Sequence, residues 1–365
     1  MSSNGVVRVA LIFGGRSAEH EVSILSARSI RDAAPKEKME IVPICIAQDG
    51  RFLPPDRSAA ILDRHDRALE GDPGFSFESW YHNEHIDVAF PIVHGTFGED
   101  GTLQGYLEIL GLPYVGSGVT GSAVGMDKMV MKSAFAAAKL PIVEYVPMYE
   151  WEWANERERL TRGIANALRL PYFVKPANAG SSVGVSKVKR LAELDAAIDK
   201  ALRFDEKVLV ERGLDAREIE VSVLGNDEPE ASLPGEVVVG REFYDYEDKY
   251  IENKSSLVIP AKLPEEKIEE IRRLAVSAFK SIGASGYARV DFFLERGTSR
   301  LYLNEINTIP GFTRISMYPK LWEATELKFS HLIDRLVQLA IERHGKRGER
   351  FASTMKFFED VKSLE

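Results

Sequence analysis

Residues 287–313 read YARVDFFLERGTSRLYLNEINTIPGFT, and the fold of the C-terminal half turns on this stretch. Arg289 and Asp291 are two apart, as are Glu305 and Asn307, the spacing of side chains on one face of a β-strand. With residues 295–299 as a hairpin turn, residue 294 faces 300 and residue 289 faces 305. Asp291 and Glu305 are then diagonal neighbours on one face, with Asn307 at its end. Two carboxylates and an amide oxygen, without His or Cys, form a hard oxygen set suited to Mg²⁺. Such a set needs further oxygens, as from phosphate, to complete a metal shell, which points to a nucleotide. The same residues also fit an Arg289–Glu305 cross-strand salt bridge beside a solvated Asp291. The rest of the chain has to choose.

At 365 residues, with 44% hydrophobic and 28% charged residues, the chain has the length and composition of a globular protein of two or three domains. A net charge of −9 argues against a nucleic-acid or anionic-membrane binder, because no dominant basic field is available. Any anionic substrate must be held by a few placed cations. The single cysteine, Cys45 in IVPICIA, cannot form an internal disulfide and reads as a buried thiol in a reducing compartment. The N-terminus lacks a signal-peptide layout and no run approaches eighteen apolar residues. The expectation is a cytoplasmic protein.

Along the chain, VVRVALIF (6–13), IVPICIA (41–47) and IDVAFPIVHG (86–95) read as strands, with a helix around 20–33 after the first. This alternation suggests a parallel α/β domain. A Pro-, Gly- and Asp-rich elaboration with helix at 58–69 separates the second and third strands. Another helix spans 103–111. The Gly/Ser-rich VGSGVTGSAVG marks a boundary near 120–127, followed by helix to about 139. Between 140 and 225 the pattern is strand-rich, with one helix at 191–203. PEEKIEEIRRLAVSAFKSI (264–282) is a helix opened by Pro264 and closed by Gly283. A last helix covers about 326–343.

Neither G-x-G-x-x-G after the first strand nor G-x-x-x-x-G-K-[ST] occurs. In their place stands YFVKPANAGSSVGVSKV (172–188): a strand delivers Lys175, and a loop of small residues lets backbone N–H groups approach phosphate oxygens. The alternative for that segment alone is a flexible hairpin with a snorkelling lysine. KVLVER (207–212) and EIEVSVLG (218–225) are two strands whose short join suits an adenine slot, with Glu218 a candidate for ribose hydroxyls. GREFYDYEDKYIENKSS (240–256), too aromatic for a linker, reads as a lid carrying Tyr244, Tyr246, Lys249 and Tyr250. Gly311 can present an unhindered N–H beside Arg289.

Taken in order, GGRSAEHEVSILSA (14–27), HGTFGEDGTLQGYLEILGLPYVGSG (94–118), MDK (126–128), KPANAGSSVGVSKV, FYDYEDKY (243–250) and GYARVDFF…LNEINTIPGFT resemble the D-alanine–D-alanine ligases of the ATP-grasp superfamily. The resemblance covers nearly the whole chain except about 53–85 and the tail after 345. It implies an α/β ATP-grasp fold: an N-terminal parallel α/β domain (1–125), a small central α+β domain (126–212) and a C-terminal α+β domain (213–365) bearing the lid. Lys128 and Lys175 would hold ATP phosphates under the 180–184 loop, Ser182 included. Glu211 and Leu214 would border adenine by backbone, and Glu218 would bind ribose. Asp291, Glu305 and Asn307 would bind two Mg²⁺ ions, with Mn²⁺ able to substitute. Glu19, with His94 nearby, would anchor the ammonium of the first D-alanine, while Ser316, the Met317 backbone and Lys249 hold the carboxylate of the second. Arg289 and the Gly311 N–H would stabilise the tetrahedral intermediate. Tyr250, Glu19 and Ser181 would close the pocket through a hydrogen-bond network. The implied partners are D-alanine and ATP in a homodimer, with no nucleic acid or membrane. The alternatives are a D-alanine–D-lactate ligase, against which Lys249-Tyr250 argues, and a catalytically silent nucleotide binder, against which the intact carboxylates and lysines argue.

Overall fold

The computed structural model describes residues 5–64, 66–180, 182–238 and 256–362. Its first sheet is parallel, in the order β2-β1-β3, built from β1 (Val7–Gly14), β2 (Met39–Ile46) and β3 (Val88–Pro91). β1 is buried along most of its length, as expected of a central parallel strand covered on both faces. The helix His20–Ala33 returns the chain from β1 to β2, with Val22, Ile24, Ala27 and Ile30 turned inward. The helix expected at 58–69 forms earlier, as Pro55–Arg64, and a second short helix, Phe77–Asn83, follows it.

The second sheet is antiparallel, ordered β4-β7-β5-β6, from β4 (Tyr145–Tyr149), β5 (Tyr172–Pro176), β6 (Ser186–Val188) and β7 (Lys207–Arg212). Two helices cover it, Leu194–Ala201 and Glu150–Ala167. The second is a correction to the reading of a single helix between 140 and 225. Its sequence, EWEWANERERLTRGIANA, buries only Trp153, Leu160 and Ile164, too sparse a stripe to stand out as a helical period.

The third sheet runs β11-β10-β8-β12-β13, with β9 on the side of β8. Its strands are β8 (Ala216–Gly225), β9 (Glu230–Ala231), β10 (Gly235–Val238), β11 (Ser256–Val258), β12 (Gly286–Glu295) and β13 (Leu301–Asn307). The helix Glu265–Ser281 packs Ile271, Leu274, Ala275 and Ala278 onto it. The helix Lys128–Ala137 adds Met131 and Phe135 to the same core, although in sequence it precedes the second sheet. The Gly/Ser-rich segment read as a boundary folds into helix Val119–Met126. A Cβ on Gly121 would come within 2.9 Å of the Gly283 carbonyl oxygen, so this glycine permits close packing rather than a loop.

The final helix, Phe329–Lys362, extends well past the expected end near 343. Its first half docks on the parallel sheet, placing Leu332, Leu336 and Val337 in one core with Val9, Leu11 and Phe90. The same core includes Tyr287, Phe312 and Tyr318. Phe312 stacks on Tyr318 at 5.6 Å and meets Tyr287 edge-on at 5.8 Å and Phe329 at 5.5 Å. This aromatic knot clamps the loop after β13 between the first and third sheets. Among the described residues no helix is long and apolar enough to cross a membrane.

Candidate active site

The β12–β13 hairpin pairs differently from its sequence-based register. Leu294 pairs with Leu301 rather than residue 300, so the turn is one residue longer than expected. In a regular ladder that shift would send Glu305 into the core. A β-bulge prevents it: the register slips between Asp291 and Phe292, so that Phe292 faces Leu303 while Asp291 faces Glu305. Asn304 is the extra residue. Burial follows the slip, with Leu301, Leu303 and Ile306 in the core. Asp291 and Glu305 are therefore directly opposite rather than diagonal, and Arg289 faces Asn307 instead of residue 305. The required parity survives by a device the sequence did not announce.

Arg289 does not make the considered salt bridge to Glu305 its main contact. Its Nε and Nη2 donate to the two Asp291 carboxylate oxygens at 2.7 Å each, and Nε lies 3.1 Å from Glu220. Burial works against its charge, but Asp291 and Glu220 outweigh it and raise the guanidinium pKa well above its ordinary value. The Asn307 amide donates to Asp291 at 3.1 Å. Asp291, Glu305 and Asn307 thus converge on one face, two carboxylates and an amide, a donor set that fits Mg²⁺ with phosphate or water oxygens completing the shell.

Facing this wall are the lysines. Lys128 donates to the Ala179 carbonyl at 2.9 Å and lies 3.7 Å from Glu305. Its helix is capped by Asp127, whose side chain accepts from the N–H groups of Met129 and Val130. Lys175, on β5, donates to Glu211 on β7 at 2.6 Å. The other Glu211 oxygen lies 2.6 Å from Lys132. Burial alone would raise the Glu211 pKa, but Lys132 and Lys175 pull it down to about 2. Burial lowers the Lys132 pKa, whereas Glu211 and Glu305 raise that of Lys175 despite its burial. Ser182 sits in the following loop with a left-handed φ of 60°.

Lys128, Lys175, Ser182, Glu211, Glu220, Arg289, Glu305 and Asn307 line one cavity of about 1260 Å³, with Asp291 and Lys132 behind its wall. Leu214 and Glu218 line it beside Glu211; Gly311, Ser316 and Met317 line it beyond Arg289. Ser316 precedes the helix Met317–Ala324, and its Oγ accepts from the Thr313 N–H at 3.0 Å. At the opposite side the cavity meets Glu19, at the start of helix His20–Ala33, and His94. A Cβ would come within 2.7 Å of a Glu19 carboxylate oxygen at Gly95 and 3.0 Å at Gly180. Glycine at both positions lets this carboxylate sit where the first and second sheets' loops meet.

His94 is buried, with Nε2 2.9 Å from the Ser26 hydroxyl and Nδ1 3.0 Å from the Ile309 carbonyl and 3.5 Å from Glu99. Burial would lower the His94 pKa, but Glu99 and Glu19 raise it. Burial and Glu19 in turn raise the Glu99 pKa against the pull of His94. The buried imidazole and the partly buried carboxyl form a pair beside Glu19.

Of the residues named from sequence, the structure thus gathers Glu19, His94, Lys128, Lys175, Ser182, Glu211 and Leu214 with Glu218, Arg289, Asp291, Glu305, Asn307, Gly311, Ser316 and Met317 around one cavity. Ser181, Lys249 and Tyr250, with Tyr244 and Tyr246, lie outside the described residues. Three participants were missed: Glu99, Lys132 and Glu220. Glu220 is two residues from Glu218 on β8, the same-face spacing that picked out the hairpin. Lys132 is four residues from Lys128, on the same helix face.

Residues 8–117 match the family model for the D-ala D-ala ligase N-terminus, and 134–338 that for its C-terminus. The chain is 50% identical over 350 residues to a D-alanine–D-alanine ligase of Solibacter usitatus, covering 95% of this chain and 99% of that one. It is 47% identical to one of Halothermothrix orenii, over 92% and 98% of the two chains. Its fold superposes on the D-alanine–D-alanine ligase of Coxiella burnetii with a TM-score of 0.80 at 33% identity, over 99% of this chain and 100% of the other. It also superposes on a D-Ala:D-Ser ligase of Enterococcus faecalis, with a TM-score of 0.79 at 33% identity over 92% and 99%. The chain belongs to the D-alanine–D-alanine ligase family and carries its ATP-grasp fold.

Proposed function

We propose that this cavity joins two D-alanine molecules into D-alanyl-D-alanine at the expense of ATP, forming ADP and phosphate for peptidoglycan precursor synthesis. The observation that carries the reading is the single cavity lined by Glu19 and His94, by Lys128 and Lys175, and by Arg289, Glu305 and Ser316. It supplies an ammonium anchor, a phosphate grip and a carboxylate pocket in one volume large enough for a nucleotide and two amino acids.

A carboxylate is a poor electrophile, so the first D-alanine attacks the γ-phosphorus of ATP, releasing ADP and giving an acyl phosphate. The amine of the second D-alanine adds to that carbonyl, and the tetrahedral intermediate expels phosphate. Lys128 and Lys175 offset charge on the transferring phosphoryl group. For Lys175 this means exchanging Glu211 for phosphate oxygens. Arg289 and the Gly311 N–H hold the oxyanion. Glu19, with His94 beside it, receives the first ammonium; Ser316, the Met317 backbone and Lys249 receive the second carboxylate. Glu218 takes the ribose hydroxyls, with Glu211 and Leu214 against the base. Asp291, Glu305 and Asn307 would hold two Mg²⁺ ions, or Mn²⁺ in their place, which supply charge neutralisation on the phosphates. Closing the 180–184 loop and the 240–256 lid, with Ser181 and Tyr250 joined to Glu19, would shield the acyl phosphate from water.

In this reading units 1–125, 126–212 and 213–365 supply the first substrate site, the phosphate grip and the metal and second substrate site. The protein works in the cytoplasm as a homodimer. The test is competition between D-alanine and D-lactate as second substrate at neutral pH with ATP and Mg²⁺. Dipeptide should predominate; depsipeptide formed faster would overturn the assignment.

A further inference from the structure

Lys132 is a lysine with no place in the scheme above. Its side chain is 2% exposed, and it stands behind the cavity wall that Lys128 and Lys175 line. Its ammonium lies 2.6 Å from Glu211 and donates to the Asn304 carbonyl at 3.4 Å, with the Tyr145 ring centroid 5.7 Å away. Asn304 is the bulge residue that turns Glu305 toward the cavity. One ammonium therefore ties the carboxylate on β7 to the bulge on β13.

The arrangement matters when Lys175 moves. Glu211 is 3% exposed and shared between two lysines. A phosphate that draws Lys175 away would strand a buried carboxylate if nothing else held it, and a buried charge without a partner is strongly unfavourable. Lys132 remains, because it does not reach the cavity.

We infer that Lys132 is a positioning residue for the nucleotide site, holding Glu211 and the Asn304 bulge in place so that Lys175 is released to phosphate. The inference rests on the nucleotide reading above. Its test is ADP binding by titration calorimetry without metal, together with steady-state KM values for ATP and D-alanine. Lys132→Met should weaken ADP binding by at least about tenfold, since Glu211 then keeps Lys175 for itself. It should raise the ATP KM in parallel and leave the D-alanine KM unchanged. Lys132→Met combined with Glu211→Gln, which leaves no charge to strand, should bind ADP within about twofold of Glu211→Gln alone. That second comparison serves even if the single variant does not fold. ADP binding by Lys132→Met within twofold of wild type would overturn the inference. So would a tenfold loss on removing Lys132 in the Glu211→Gln background, or an equal rise in both KM values. A wild-type protein that binds no ADP would instead overturn the nucleotide reading itself.

Discussion

Replacing Arg289 by Met tests the electrostatics of the hairpin. The guanidinium bridges Asp291 at 2.7 Å twice and Glu220 at 3.1 Å, and these two carboxylates are register partners across β12 and β8. At an effective dielectric of about 20, each unit-charge pair near 4 Å is worth about 4 kcal/mol gross. Desolvating the guanidinium offsets much of that. Removing one partner of a buried pair typically costs about 3–5 kcal/mol, because the other charge is left uncompensated. Here Asp291 and Glu220 lose the cation they share. In the variant the two carboxylates lose a cation that favours their charged forms. Such a penalty is full at neutral pH and fades as the pH falls and the pair takes up a proton. Urea unfolding should therefore show a deficit of about 3–5 kcal/mol at pH 7 that shrinks by at least about 1 kcal/mol at pH 5. Adding Glu220→Gln should restore part of the loss at pH 7. Ligation should fall by about 10²-fold or more, since the oxyanion loses its cation. A deficit below about 1 kcal/mol, or one unchanged between the two pH values, would refute the reasoning.

Phe312→Ala should cost about 3–5 kcal/mol in unfolding experiments, because it empties the centre of the aromatic knot, and should raise the D-alanine KM by loosening the Gly311–Ser316 loop. Cys45 is buried, and burial pushes its thiol up to about 12; it should resist a thiol reagent at pH 8 in the native protein and react fully in urea. Glu211, drawn down to about 2 by its lysines, contributes stability that is present above its ordinary value near 4.5 and lost as the pH falls toward 2. The stability difference between wild type and Glu211→Gln should accordingly be flat from pH 7 to 5 and shrink below, as followed by denaturant titration.

Much of this was legible in the sequence because strand parity and glycine placement are local signals. The helix expected at 20–33 forms as His20–Ala33, and among the described residues the chemical groups of the motifs come together around one cavity. What escaped was non-local. The turn after Glu295 and the bulge at Asn304 each shift the register by one, and only their sum keeps Glu305 beside Asp291. Lys132 and Glu220 look like surface charges until β7 and β12 are laid against them. The helix Glu150–Ala167 was hidden by its polar surface, and Val119–Met126 by glycines that serve packing.

The most direct test of the account is the product balance of wild type and Glu305→Gln across a Mg²⁺ titration, with D-alanine and ATP as the only substrates. The wild type should form ADP, phosphate and D-alanyl-D-alanine in equal amounts. Glu305→Gln should lose turnover by about 10²-fold at limiting Mg²⁺ while its melting temperature stays within about 2 °C, because it removes one oxygen donor and leaves the bulge in place. Near-normal turnover of the variant at limiting Mg²⁺, or ADP release by the wild type without dipeptide, would contradict it.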